Sequence, residues 1–337
     1  LSLPQDLDIL APEHLTLEYV NTRTRKIRTW LLWLVVLCAF TKPVRAQESG
    51  VGFLRIGTNA AAMALGDASV ALSSDAFSTY WNPAGLAAAS NSVAASHHIW
   101  VREVRTYNLA GRLAVGTRGG LGVFATAAGS GNLPGDAASD PGGTPEIQFV
   151  NVGAAYGHSF GPIRAGLTLK YISDRNEIYR TSGVAADLGV QADLFRQALR
   201  LGMAMQNMGR VREASSIAAP LPAMLRIGVA AFPLRVLAGD GGSPLLNAFV
   251  TGEVSHDLTR ERQAPGGYDR THLHVGAGVE IFDLATVRAG YVSGYDFRSV
   301  SVGAGLSQGS FQVDYAFVPF DGGFGTGHVL SVMYRWE

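Results

Sequence analysis

Downstream of residue 90 the chain keeps a period of two. In 162–174, Ile163, Ala165, Leu167, Leu169 and Tyr171 share one face, and Arg164, Gly166, Thr168 and Lys170 take the other. In 198–208, Leu199, Leu201, Met203 and Met205 oppose Arg200, Gly202, Ala204 and Gln206. In 269–281, Leu273, Val275, Ala277, Val279 and Ile281 oppose His272, His274, Gly276, Gly278 and Glu280. In 310–319, Phe311, Val313, Tyr315 and Phe317 oppose Gln312, Asp314 and Ala316. Successive side chains of a strand point to opposite faces, so each segment reads as a strand with one apolar face and one polar or small face. Division at turns predicts strands at 91–101, 104–115, 119–129, 146–159, 162–174, 181–193, 198–208, 222–232, 245–257, 269–281, 284–294, 298–307, 310–319 and 326–336, fourteen in all. An even number lets an antiparallel chain close with both ends on one side. Segment 146–159 slips phase between Phe149 and Val150, which predicts a bulge.

The stretch from Gly50 to Leu86 breaks this pattern. Ala60 to Leu65 is dominated by Ala, a good helix former and a poor strand former. Thr58 or Asn59 caps a short helix there, and Gly66 closes it. Val70 to Leu72 reads as a brief strand or extended segment. Ser73-Ser74-Asp75 caps a helical turn over Ala76 to Tyr80, and Asn82-Pro83 stops it. Pattern alone supports two readings equally: the helix pair of a soluble domain, or a small-residue filling packed inside a tube of strands.

Composition shifts the balance. Only 16% of residues are charged while 47% are hydrophobic, against about 25% charged in typical soluble proteins. No stretch after residue 46 is apolar for the ~18 residues a membrane helix needs. Apolar residues spread one in two along ten-residue strands are what a lipid-facing barrel requires. Lipid does not solvate Arg, Lys, Asp or Glu, so the polar face is the inner one. Gly and Ala on that face leave room for the N-terminal stretch. The expected fold is therefore an all-β membrane protein, a 14-stranded antiparallel transmembrane β-barrel with an N-terminal helical plug or hatch in its lumen. Gly116 to Gly120, Ser159 to Pro162 and Gly309-Ser310 read as tight periplasmic turns. Gly129 to Pro145, Gly209 to Pro220, Ala238 to Pro244 and Leu258 to Tyr268 read as longer loops outside the cell. Ser130 to Pro145 and Met208 to Ala219 are the candidate partner-contacting surfaces.

The head of the chain is expected to be processed. Residues 1–22 show no period and read as an upstream extension. Arg23, Arg25, Lys26 and Arg28 form a basic region before the apolar run Trp30 to Phe40, and Val44-Arg45-Ala46 suits a signal peptidase. Residues 23–46 are thus read as a signal peptide cleaved after Ala46, since the apolar run is short for a membrane anchor. Residues 47–90 are assigned to the plug and 91–337 to the barrel. Cys38, the one cysteine, lies in the leader, so disulfides and Cys chemistry are excluded from the mature chain.

Little catalytic chemistry is visible. Lys+Arg and Asp+Glu balance at 27 each, which gives no pull toward nucleic acid. No Gly-x-Ser-x-Gly elbow and no His-Glu-x-x-His is present. His272, His274 and Glu280 share a strand face and are conceivable metal ligands, but the preferred reading is lumen histidines without metal. His97 and His98 point to opposite faces and cannot chelate together. Arg164, Lys170, Asp187, Asp193, Arg226, Glu253, Glu280 and Arg288 fall on polar faces as a charged lumen lining or as pairs that fix the plug. Neither an enzyme activity, a cofactor nor a metal is expected.

Phe53-Leu54-Arg55-Ile56-Gly57, Met63 to Ala68 and Trp81-Asn82-Pro83-Ala84-Gly85-Leu86 resemble the N-terminal signature of the PorV/PorQ family, within the wider class similar to the FadL fatty-acid channel. Leu225 to Gly228 and Asp314 to Phe320 are similar to later parts of such chains. The C-terminal Tyr334-Arg335-Trp336 resembles a barrel-assembly signal, with Glu337 a departure from the usual terminal aromatic. The resemblance implies a location in the outer membrane among its lipid, no catalysis, and a role beside the type IX secretion machinery. There such barrels bind exported cargo or a translocon. The wider class implies an alternative, a channel for a hydrophobic ligand whose hatch at Trp81, Asn82, Pro83, Ala84 and Gly85 shifts to open a path.

Overall fold

The computed structural model describes residues 51–88, 90–100, 104–130, 146–175, 180–213, 218–237, 244–259, 270–295 and 297–337. The expected extension and signal peptide lie outside the described residues, as do most of the loops expected at 129–145 and 258–268. The strands are β1 Asn91–Ile99, β2 Val104–Val115, β3 Gly119–Ser130, β4 Glu146–Phe160, β5 Ile163–Arg175, β6 Arg180–Leu194, β7 Leu199–Glu213, β8 Ala218–Pro220, β9 Met224–Leu237, β10 Pro244–Asp257, β11 Thr271–Ile281, β12 Ala285–Val292, β13 Val300–Gln308, β14 Phe311–Pro319 and β15 Thr326–Trp336. Every strand but β8 pairs antiparallel on both sides. β1 pairs with β15, and the ladder runs unbroken through the β6–β7 and β7–β9 pairings. The result is a closed antiparallel barrel of fourteen strands with almost no helix. β8 is a short return strand on Arg210 to Arg212.

The wall is apolar outside. Val93, Leu109, Leu169, Val184, Leu273 and Val332 expose 42–67% of their surface. Their neighbours Ala94, Asn108, Lys170, Ala185, His274 and Ser331 are buried. No helix among the described residues is long and apolar enough to cross a membrane; an apolar outer wall of strands is the arrangement a bilayer-spanning barrel requires. A closed ladder pairs the wall's N–H and C=O groups with one another, as a bilayer, which holds no water to do so, requires.

Besides two register shifts in the β9–β10 pair, two irregularities change phase where the sequence is ambiguous. β3 and β4 lose register at Gln148, so that Ile147 pairs with Gly129 and Phe149 with Ala128. Phe149 then points inward, and the slip lies just before the expected place. In β6–β7 the register shifts between Ala186 and Leu188, beside Asn207 with φ 60°. Past that bulge β7 continues to Glu213, so the expected loop from Gly209 is strand for five further residues. Strand parity makes a second correction. β9 ends and β10 begins at the end carrying the tight turns, so the Ala238 to Pro244 connection belongs to that rim and not to the long-loop rim.

Residues 51–88 lie against the inner face of the wall and bury Trp81, Met63, Leu86 and Val70 there. The helix forms over Ala60–Met63, shorter than expected, and ends on Ala64 rather than at Gly66, which takes φ 65° in the turn that follows. Asn59 is the N-cap residue, but its Oδ1 accepts from Trp81 Nε1 at 2.8 Å and gives the helix no side-chain cap. The second helix is Ser78–Trp81. Val70 to Leu72 is a turn rather than a strand. Its backbone bonds go to side chains: Val70 N donates to Glu253 Oε2 of the wall at 2.8 Å, and Val70 O accepts from Gln191 Nε2 of the wall and from Asn82 Nδ2 of the segment itself.

Candidate functional site

Trp81 to Gly85 is where the N-terminal segment and the wall meet most closely. Pro83 opens a short 3-10 helix, Pro83–Ala87, with its fixed φ, and Asn82 precedes it in extended geometry. Asn82 Oδ1 accepts from Ala84 N at 3.2 Å. Its Nδ2 faces three carbonyls, Val70 at 2.9 Å, Val190 at 3.1 Å and Met203 at 3.4 Å, and so ties two turns of the segment to β6 and β7. Gly85 is required, because a Cβ there would stand 2.2 Å from Ser73 O. Asn82, Ala84 and Trp81 are buried.

Two of the expected lumen residues join this motif. Arg226 Cζ lies 5.1 Å from the centre of a Trp81 ring. Its Nη1 pairs with Glu253 Oε1, and its Nε donates to Gln206 Oε1 at 3.1 Å. Gln206 in turn donates to Tyr80 O at 2.6 Å. Both charges are 2% exposed, so each depends on the other to offset desolvation. The remaining expected residues stand apart. Lys170 Nζ is 2.8 Å from Asp187 Oδ2 and donates to Asn207 Oδ1 at 2.5 Å. Asp187 Oδ1 accepts from Asn207 N at 2.6 Å. This cluster clamps the bulge in β7. Arg164 and Arg200 share Asp193 at 2.8 and 2.6 Å near the turn end. Arg288 pairs with Asp314 at 2.7 Å. Glu280 is half-buried and accepts from Asn247 Nδ2 at 3.2 Å. Arg164, Lys170, Asp187, Arg226, Glu253, Glu280 and Arg288 therefore form separate clusters rather than one site.

Neutral side chains do much of the tethering that charge pattern did not reveal. Ser331 Oγ accepts from Ala60 N at 2.8 Å, and Ser301 Oγ from Gly66 N at 3.1 Å. Thr251 and Thr168 donate to Ala68 O and Thr79 O at 3.1 and 3.2 Å. Gln191 Nε2 donates to Ser73 O at 2.9 Å. All sit at inward positions, so period-two placement of Ser, Thr and Gln was the available signal. Two ion pairs reach the long-loop end: Arg298 with Asp67 at 2.7 Å and Arg55 with Asp257 at 2.9 Å. Burial raises the Asp75 carboxyl, against the opposing pull of Arg335, and raises the Tyr80 phenol.

The histidines are engaged. His274 Nδ1 is 2.6 Å from Gly66 O and its Nε2 is 2.8 Å from Ser255 Oγ. His272 stacks on Tyr295 at 3.9 Å. His98 turns inward to Ser96, while His97 stacks on Tyr107 at 4.6 Å. Among the described residues no group of three His, Cys, Asp or Glu is placed to hold a metal ion. At the long-loop end the inner face turns apolar: Leu54, Phe149, Ile172, Val211 and Leu221 pack together with Phe53 against them.

No curated protein matches the sequence. In fold the chain is similar to the solved CymD monoaromatic hydrocarbon channel, with a TM-score of 0.55 at 13% identity over 83% of this chain and 98% of that one. A deltaS2 mutant of the TodX monoaromatic hydrocarbon channel gives 0.52 at 12% identity over 83% and 99%. These likenesses show the fold, a closed barrel like that of the two hydrocarbon channels. Residues 41–98, which take in the N-terminal segment and all but the last residue of β1, match the family model of the type IX secretion system protein PorV.

Proposed function

We propose that this chain is a non-catalytic outer-membrane component of type IX protein secretion, binding exported cargo or the translocon through its extracellular loops and rim. The observation that carries the reading is the PorV match over residues 41–98. It falls on the segment that holds the Trp81 to Gly85 motif. In this reading residues 47–90 are a fixed plug and residues 91–337 a rigid platform for the loops. Trp81, Asn82, Pro83, Ala84 and Gly85 lock the plug, and the buried pairs of Arg226 with Glu253 and Lys170 with Asp187 hold the surrounding wall. The loop around 130–145 and the β7–β9 connection are the contact surfaces. Residues 23–46 direct export and are removed after Ala46.

A second reading is favoured by the apolar cluster at Leu54, Phe149 and Ile172 and by a fold shared with hydrocarbon channels. There the barrel passes a hydrophobic small molecule, and the segment must move. One cross-link separates the two. Ala60→Cys with Ser331→Cys joins the segment to β15 where Ala60 N already meets Ser331 Oγ at 2.8 Å. Under the secretion reading the oxidised variant still recovers secreted proteins or a translocon from membranes. Recovery of no protein partner, with uptake of a hydrophobic probe that stops on oxidation, overturns it in favour of the channel.

A further inference from the structure

The outward face of β5, β6 and β7 carries a groove of about 970 Å³. Its sides are Leu169 and Tyr171 on β5 and Met208 and Arg210 on β7. Its floor is low at Ala186, whose outward side chain is a single methyl group. Register places Leu169, Ala186 and Met208 in one row and Tyr171, Val184 and Arg210 in the next. The row nearest the long-loop rim holds Ser173, Ser182 and Arg212. The groove therefore grades along the barrel axis, from an aliphatic lower part to a cationic upper end.

That upper end is unusual for a surface facing lipid. Arg210 and Arg212 are both exposed and stand one row apart, about 7 Å along the strand. Outward positions of β5 to β7 among the described residues carry no acidic side chain that could pair with them. Charged side chains on a lipid-facing wall are tolerated near the interface and penalised at mid-bilayer. Arg212 is one residue from the end of β7, at the long-loop rim, where the outer-membrane reading places the outer-leaflet head groups. Guanidinium is suited to phosphate by its planar fork of donors.

We propose that this groove is a binding site for an anionic, phosphate-bearing amphiphile of the outer leaflet. One acyl chain lies over Ala186 beside Met208, and the phosphate sits between Arg210 and Arg212 with Tyr171 and Ser182 at its edge. The site needs only the barrel and its orientation, and it stands under either reading of function.

The test uses the full chain in detergent, with phosphatidylglycerol and phosphatidylcholine of identical acyl chains as probes and native mass spectrometry as the readout. The wild type retains phosphatidylglycerol over phosphatidylcholine by roughly tenfold or more, the preference two cationic side chains near a head group supply. Arg210→Gln with Arg212→Gln abolishes the preference. Ala186→Trp fills the floor and displaces the lipid while both arginines remain. Arg105→Gln, at an exposed rim position on β2 away from the groove, changes neither. Equal retention of both probes by the wild type overturns the proposal, as does an equal loss in Arg105→Gln. A double variant that keeps its lipid but sheds a co-purified protein also overturns it, because the groove is then a seat for an acidic protein segment. Unheated gel mobility, which reports a folded barrel, validates each variant.

Discussion

Gly290 on β12 faces the N-terminal segment at a distance no side chain survives. A Cβ there would lie 2.1 Å from both Gly66 N and Leu65 C. Glycine ordinarily weakens a strand by its entropy, so its recurrence on the inner face marks where another backbone presses on the wall. Gly290→Val should destabilise the folded barrel by about 1–3 kcal/mol, the usual cost of overpacking, or expel residues 64–67 from the wall. Gly252→Ala is the matched control, since a Cβ at that position meets nothing within 4 Å. Thermal unfolding in detergent distinguishes the two. Charge gives a second prediction. Arg226→Leu strands Glu253 at 2% exposure and should cost about 3–5 kcal/mol. Adding Glu253→Leu should recover much of this but not all, because Val70 N then loses its acceptor. Equal stability of Arg226→Leu and the wild type would show that water reaches the pair.

Elements were legible wherever the alternation ran unbroken and obscure wherever a bulge reset it. β5, β11, β14 and β15 follow the apolar-polar pattern to within a residue or two. β7 was misjudged at its outer half because Gln206 and Asn207 both turn inward. Beyond them Gly209 and Val211 face inward, residues that look outward by simple counting. The N-terminal segment was partly legible. Small residues and the Asn82-Pro83 stop were visible, but Val70 to Leu72 could not be read correctly, because besides Asn82 its partners are side chains of β6 and β10 more than a hundred positions away. The lumen charges were recognisable as inward, whereas their division into separate clusters depends on register, which no local pattern encodes. The β7 bulge offers an element-scale prediction. Lys170→Met leaves Asp187 buried without its cation and should cost about 3 kcal/mol or more. The loss should concentrate in β7, with faster amide exchange at Asn207 to Gly209 and unchanged exchange in β14. Uniform acceleration across the barrel would instead mean that the cluster supports closure as a whole.

For the whole molecule the decisive quantity is closure. The described residues contain no cysteine, so the barrel is held by its ladder and its interior contacts. The seam joining its two ends is β1 with β15, from Asn91 opposite Trp336 to Ile99 opposite His328. Removing Val332 to Glu337 deletes five of the nine residue pairs at that seam and shortens the β14 ladder as well. Each backbone group left unpaired in hydrocarbon costs several kcal/mol, while a folded domain has only about 5–15 kcal/mol in total. A partly open barrel therefore has no stable place in the membrane. The truncated chain should show no folded species by unheated gel mobility, rather than a weakened one. Deleting Glu337 alone should leave folding unchanged, because that residue lies past the last paired position, Trp336. Failure of this single deletion would mean that the final carboxylate takes part in assembly. A folded product from the longer truncation would mean that β1 finds another partner, and that the closure seen here is not what holds the strands in place.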